Sequence, residues 1–148
     1  MLKFQALNDK TLRQYSPVTL AYIGDAVFEL MVRSLLVLGD RRKIKDVHLD
    51  VVARVKASSQ ARLVRGLFED LSPEEQELVR WGRNAKNPVP RHADPGDYRM
   101  STGFETLLGY LYLNGNRDRI DYLVSKALET EFWNESEKPL DNGEEESE

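Results

Sequence analysis

Apolar residues recur at helical spacing in separate segments of this chain, and residues typical of helix ends stand at the boundaries of those segments. Ser16 followed by Pro17 is typical of a helix start, and Gly39 ends the apolar-rich segment that follows. The pattern therefore predicts a long first helix from Pro17 to Gly39. No alternating apolar runs are joined by hairpin turns, so the pattern indicates an all-α fold.

The sequence pattern predicts two more helices in the middle of the chain. Asp46 is placed to cap the first of them, whose apolar positions recur at helical spacing: Val47, Val51, Val52 and Val55. The pair Ser58-Ser59 indicates a break within this segment. Ser72 then opens a Ser-Pro-Glu-Glu capping box, which predicts a helix from that point to about Lys86.

A loop is predicted over residues 87–97, because they contain three prolines and a glycine. The next helix is predicted over 99–114. A final amphipathic helix should follow the Asn-Gly-Asn turn and run to about Trp133, with one apolar face: Ile120, Leu123, Val124, Ala127 and Leu128. The loop lies between a base-rich helix end and the following helix, a position in which loops often contact ligands.

Length and composition limit the architecture to one domain. The chain has 148 residues, of which 41% are apolar, and this is enough for one core. It has no cysteine, which excludes disulfides, thiolate metal sites and a cysteine nucleophile. No segment has the roughly 18 consecutive apolar residues that a membrane span requires. We therefore expect a soluble, cytoplasmic protein that has no membrane partner.

Charge is unevenly distributed along the chain. Residues 135–148 carry seven acids against one lysine, whereas the whole chain has a net charge of −4. Residues 1–134 are therefore slightly basic, and we predict one folded domain there, followed by a disordered acidic tail. Three clusters of bases favour binding of a polyanion, with solvated helix faces as the alternative explanation. They are Arg41, Arg42, Lys43 and Lys45; Arg54, Lys56, Arg62 and Arg65; and Arg80, Arg83, Lys86, Arg91 and Arg99.

Asp25 and Glu105 are acids within apolar stretches of the predicted helices. An ionised carboxylate among apolar side chains loses its hydration, so it is usually protonated, paired with a base or bound to a cation. Two acids in such surroundings are a candidate metal site. The alternative is an all-α interaction domain in which arginines satisfy both acids.

The segments around these acids resemble the two acidic motifs of the ribonuclease III family. Residues 22–27, Tyr-Ile-Gly-Asp-Ala-Val, are similar to the signature helix of that family. Residues 104–113, Phe-Glu-Thr-Leu-Leu-Gly-Tyr-Leu-Tyr-Leu, are similar to its second acidic helix. Residues 81–86, Trp-Gly-Arg-Asn-Ala-Lys, and residues 98–105 resemble the mini-ribonuclease III subfamily, whose members lack the double-stranded-RNA-binding domain. The resemblance extends over about residues 12–130.

The resemblance implies a homodimeric endonuclease with the ribonuclease III endonuclease-domain fold, which cuts double-stranded RNA with Mg²⁺ and leaves 5′-phosphate ends. It also implies ribosomal RNA precursors, including that of 23S RNA, as substrates. Asp25 and Glu105 match the catalytic, metal-binding acids of the family. Four residues are candidates for RNA binding: Arg83, Asn84, Lys86 and Arg99. Phe28 and Met31 are candidates for the dimer interface, with core packing as the alternative.

Two departures from the family pattern affect the metal site. Ala21 stands where the signature helix usually carries a glutamate, and Thr102 stands where an aspartate precedes the second glutamate. Water, RNA phosphate oxygens or other side chains must then complete the coordination of Mg²⁺, which normally retains several waters. Glu29 is predicted to pair with Arg33 and not to bind the metal. The resemblance implies that the mini-ribonuclease III subfamily shares these departures, so they favour that subfamily over an inactive enzyme. They leave open a second hypothesis, a non-catalytic RNA-binding or ribosome-assembly factor on the same fold.

Overall fold

The computed structural model describes residues 4–129, and every regular element in that range is a helix. The helices in chain order are α1 (Asp9–Leu12), α2 (Pro17–Gly39), α3 (Ile44–Val55), α4 (Ala57–Leu67), α5 (Pro73–Arg83), α6 (Pro95–Leu113) and α7 (Arg117–Ala127), with a 3-10 turn at Phe68–Asp70 between α4 and α5. The all-α prediction is therefore confirmed. The predicted tail at 135–148 and the predicted end of the last helix lie outside the described residues. None of the helices described is long and apolar enough to cross a membrane.

Side-chain caps start two helices where the sequence predicts them. The Ser16 hydroxyl accepts a hydrogen bond from the Thr19 backbone N–H at 3.1 Å, and Pro17 follows it in the first turn of α2. At α5, the Ser72 hydroxyl accepts from the Glu75 N–H at 3.1 Å, while the Glu75 carboxylate accepts from the Ser72 N–H at 2.9 Å. Both predicted starts, and the predicted end of α2, are confirmed.

The predicted cap and break in the next helical segment are wrong in position. α3 begins at Ile44, and the Asp46 N–H already donates to the Lys43 carbonyl at 3.0 Å. Asp46 therefore lies in the first turn, where its negative charge is favourable near the helix N-terminus, but it is not the cap. The break between α3 and α4 lies at Lys56, before Ser58.

The loop between α5 and α6 begins and ends earlier than predicted. α5 ends at Arg83 and not at Lys86, and α6 begins at Pro95 and not at residue 99. The Asp94 carboxylate starts α6 by accepting a hydrogen bond from the Asp97 N–H at 2.8 Å. Proline is compatible with the first turn of a helix because its missing N–H would have no partner there. The short helix α1 is not indicated by the sequence pattern.

α6 lies at the centre of the domain and packs against α2, α4, α5 and α7. The Phe28 ring of α2 meets the Phe104 ring of α6 with their centroids 5.4 Å apart. Phe28 is fully buried, so it is a core residue and not an interface residue, whereas Met31 is only partly buried. The predicted apolar face of the last helix is buried as well: Ile120, Leu123, Val124, Ala127 and Leu128. Glu105 is thus part of the central helix, and other helices partly bury it.

Candidate active site

Asp25 and Glu105 meet where α2 crosses α6. Gly24 makes this crossing close, because a Cβ atom at that position would overlap the Glu105 carbonyl oxygen. Gly109 is placed in the same way against the Leu20 carbonyl oxygen. Glycine is required at such contacts because it has no side chain to separate the two backbones. Asp25 follows Gly24 on α2, so its carboxylate lies within hydrogen-bonding reach of the Glu105 carboxylate.

The two carboxylates differ in their exposure to solvent. Asp25 is exposed, together with its neighbours Tyr22 and Ala26, so the expected loss of hydration at Asp25 is wrong. The reason is that this part of α2 lies at the surface, where its apolar neighbours also face solvent. Glu105 is only partly exposed, and burial, followed by the adjacent Asp25 carboxylate, raises the pKa of Glu105 to about 8. Glu105 is therefore the desolvated acid of the pair.

Gln60 is a third polar group beside the acid pair, and the sequence motifs do not predict it. Its side-chain Nε2 donates to Glu105 Oε2 at 3.3 Å and to the Val55 carbonyl at 2.7 Å. The sequence does contain an indication of this role, which is the spacing of Gln60 from Leu63 and Val64. Residues three and four positions apart lie on the same face of a helix, and Leu63 and Val64 are buried in the core. A glutamine at a core position indicates a buried polar contact.

The two positions that depart from the family pattern supply no metal ligand. Ala21 has no side-chain donor atom, and the buried Thr102 hydroxyl donates to the Tyr98 carbonyl at 3.1 Å within α6. Within residues 4–129, no group of three or more acids or histidines could hold a metal ion. The donors present are the carboxylates of Asp25 and Glu105, and carboxylate oxygens are ligands that Mg²⁺ prefers.

Neither acid of the pair forms an ion pair with a base in the described part of the chain. This is contrary to the hypothesis of an interaction domain in which arginines satisfy both acids. Glu29, one turn beyond Asp25, does form an ion pair, with 3.3 Å between its carboxylate and the Arg33 guanidinium. The prediction that Glu29 pairs with Arg33 is therefore confirmed. The unpaired acids are left as the site at which a cation can bind.

The candidate RNA-binding residues lie around the end of α5 and the start of α6. Asn84 follows α5 and accepts a hydrogen bond from Arg83 Nε at 3.1 Å. Asn84 and Lys86 line a cavity of about 460 Å³ beside the start of α2. Arg99 is exposed on α6. The described lining of this cavity includes neither acid of the pair, and it includes neither Arg83 nor Arg99.

The sequence and the structure are both similar to known proteins. The family model described as "Ribonuclease III domain" matches residues 18–116, a range that contains both acids. A crystal structure of a protein from Fusobacterium nucleatum has a TM-score of 0.73 at 26% sequence identity, with 82% of this chain and 94% of that chain covered. The all-helical domain with its acid pair is an endonuclease domain of this type, and the chain belongs to the ribonuclease III family.

Curated relatives narrow this class further. A Mini-ribonuclease 3 from Gloeobacter violaceus is 48% identical over 113 residues, which are 76% of this chain and 82% of the relative. A Mini-ribonuclease 3 from Symbiobacterium thermophilum is 42% identical over 114 residues, which are 76% of this chain and 88% of the relative. The resemblance to the mini-ribonuclease III subfamily is thus confirmed, and the chain is an endoribonuclease of the ribonuclease III type.

Proposed function

We propose that this endoribonuclease cuts double-stranded RNA with Mg²⁺ held by Asp25 and Glu105. One observation carries the proposal: the two carboxylates lie side by side, and burial, followed by the adjacent Asp25, raises the pKa of Glu105 to about 8. A cation bound by both carboxylates would allow them to be ionised together at low cost. Their oxygen atoms are hard ligands that suit Mg²⁺, which needs few protein ligands because it keeps several waters.

The two acids have different tasks in this proposal. When bound, Mg²⁺ supplies a water of lowered pKa and stabilises the charge that develops on the leaving oxygen of the phosphodiester. Glu105 is the fixed anchor, since its backbone is held against Gly24 and its side chain is partly buried. Asp25 is exposed, so it would help to hold the metal and would also orient the attacking water.

The polar region at the end of α5 binds the RNA backbone in this proposal. Asn84 and Lys86 are exposed beside the start of α2, Arg83 lies next to Asn84, and Arg99 is exposed on α6. Duplex RNA is recognised mainly by its shape and its phosphates, which suits basic and amide side chains. The substrates we propose are ribosomal RNA precursors, including that of 23S RNA. A cytoplasmic location is part of the proposal, because bacterial ribosomal RNA is made there.

The protein acts as a homodimer that pairs through the surface of α2. Tyr22 is 80% exposed and Leu30 is 52% exposed, which is unusual for such large apolar side chains. Beside them lies a cavity of about 450 Å³ whose lining includes Ile23, Val27, Leu30, Met31 and Ile120. In a two-fold dimer the same face of each subunit meets its copy, so one apolar face is sufficient for pairing. Asp25 lies on this stretch of α2, and the dimer would therefore carry two acid pairs, one for each RNA strand.

The proposal is tested by incubating the protein with a long duplex RNA in Mg²⁺ or in EDTA. Asp25→Asn and Glu105→Gln keep the side-chain volumes but remove the charges, and each should lower kcat/KM by about a hundredfold or more. Glu29→Gln is the matched control, since it removes the same charge from α2 at a position paired with Arg33. Cleavage that persists in EDTA would contradict the metal dependence. Duplex binding without cleavage in Mg²⁺ would favour the RNA-binding factor.

A further inference from the structure

Gln60 is a polar side chain in the core, 2% exposed, on the helix that packs behind the acid pair. Its amide nitrogen makes two contacts, at 2.7 Å to the Val55 carbonyl at the end of α3 and at 3.3 Å to Glu105 Oε2. The backbone at the break between α3 and α4 and the acidic side chain on α6 are thus joined through one amide group.

The orientation of this amide is determined by its surroundings. The Val55 carbonyl can only accept, so turning the amide over would place Oε1 against another acceptor and lose the shorter of the two hydrogen bonds. In the observed orientation, Gln60 Oε1 is buried and has no hydrogen-bond partner among residues 4–129. A buried amide oxygen without a partner is unfavourable for folding, and an apolar side chain of similar length would avoid this cost.

The Val55 contact alone does not account for a glutamine here. The neighbouring Ser59 hydroxyl already donates to the Ala53 carbonyl at 2.8 Å, so the end of α3 has another side-chain cap. The contact that distinguishes Gln60 from Ser59 is the hydrogen bond to Glu105. A site with only two acids has few groups that can hold a carboxylate in one orientation, and partners behind a metal ligand are a general means of doing so.

We propose that Gln60 is a positioning residue that holds the Glu105 carboxylate in the orientation required to bind a divalent cation together with Asp25. The inference rests on the proposed function, since it assigns Gln60 to the same site. Gln60 acts through Glu105, so its loss should weaken metal binding and leave both acids in place.

The test is calorimetric titration of the protein with Mn²⁺ alone, without RNA. Gln60→Met keeps the length of the side chain and removes the N–H donor, and we expect the Mn²⁺ dissociation constant to rise by about tenfold to a hundredfold. Ser59→Ala is the matched control, because it removes the neighbouring cap of α3 without touching Glu105. Its dissociation constant should stay within about twofold of the wild-type value, since the metal ligands and their contacts are unchanged.

Gln60→Asn provides a second variant, which keeps the test decisive if Gln60→Met does not fold. It retains an amide, but the shorter side chain cannot bridge Val55 and Glu105, so the same loss of Mn²⁺ affinity is expected. Wild-type affinity in a folded Gln60 variant would overturn the inference. An equal loss in Ser59→Ala would also overturn it, because the effect would then come from the end of α3. Wild-type protein that binds no Mn²⁺ would overturn both the inference and the proposed metal site.

Discussion

Gly24 of α2 lies directly against the backbone carbonyl of Glu105 in α6, and no side chain fits between them. This backbone contact sets the distance between the Asp25 and Glu105 carboxylates, because both side chains project from the same crossing. The two helices belong to distant parts of the chain, so the site exists only when they are packed together. A change in that packing should therefore alter stability and metal binding at once.

Gly24→Ala is expected to destabilise the fold and to weaken Mn²⁺ binding. The added methyl group overlaps the Glu105 carbonyl oxygen, so the helices must move apart, and overpacking of this kind typically costs about 1–3 kcal/mol. Urea denaturation and calorimetric titration measure the two effects. Gly39→Ala is the matched control, because a Cβ there meets no described atom within 4 Å, and its stability should change by less than about 0.5 kcal/mol. Unchanged stability and affinity in Gly24→Ala would show that the crossing tolerates a side chain.

The stability of the metal-free protein should depend on pH through Glu105. Burial, followed by Asp25, raises the pKa of Glu105 from 4.5 to about 8, so between these values the native state holds a proton that the unfolded state has released. The free energy of unfolding therefore falls as pH rises through this window. Glu105→Gln removes the titrating group, so its Tm in EDTA should increase relative to wild type as pH rises from 4.5 to about 8.

Thermal unfolding followed by circular dichroism measures this difference. Glu29→Gln is the control, because it removes an acid on the surface of α2. The difference in Tm between Glu29→Gln and wild type should not change with pH in this window. A constant Tm difference between Glu105→Gln and wild type across the window would refute the raised pKa.

Arg119→Met should lower stability without removing activity. The Arg119 guanidinium donates to both oxygens of the Glu75 carboxylate, each at 2.8 Å. Burial alone would raise the pKa of Glu75, yet Arg119 and the Ser72 backbone together hold it below its ordinary value. Without Arg119 the buried carboxylate loses its partner, and we expect a loss of about 2 kcal/mol in urea denaturation.

Lys126→Met is the control for this ion pair, since it removes a partner of Asp70 at a more exposed position on the same helix. A surface pair contributes about 0–1 kcal/mol, so the loss should be smaller than for Arg119→Met. Arg119 donates to Glu75 and to the Asp70 carbonyl, and the proposed mechanism gives it no role. Folded Arg119→Met protein should therefore cleave RNA at close to the wild-type rate. A large decrease in the cleavage rate of folded Arg119→Met protein would show that Arg119 affects the Asp25–Glu105 site.

Leu30→Glu should separate the proposed dimer. Leu30 is 52% exposed in the single chain and lines the apolar cavity beside α2, so the new carboxylate would be buried at the interface. We expect the dimer dissociation constant to rise by about a hundredfold or more in analytical ultracentrifugation. Leu30→Met, which retains an apolar side chain, is the control and should remain dimeric. If the wild-type protein is monomeric, the proposed dimer does not exist. If Leu30→Glu forms a dimer as tight as wild type, the dimer interface lies elsewhere.

Features that depend on neighbouring residues could be predicted from the sequence alone. Ser16 and Ser72 cap the helices they were predicted to cap, because a cap is a bond between residues three positions apart. Gly39 is the last residue of α2, as the sequence pattern predicts. The two acids were predicted as a site from the short motifs around them, and the family match over residues 18–116 includes both motifs. Their role as metal ligands stays a prediction.

Which acid is desolvated, and which side chain contacts it, depends on how the helices pack. Asp25 has apolar neighbours in sequence but is exposed, whereas Glu105 is partly buried because α6 is surrounded by other helices. Phe28 is a core residue for the same reason, since its exposure depends on the position of Phe104. The contact of Gln60 with Glu105 joins residues that are 45 positions apart. Local pattern shows which faces of a helix are apolar, but burial and long-range hydrogen bonds depend on which faces meet when the helices pack.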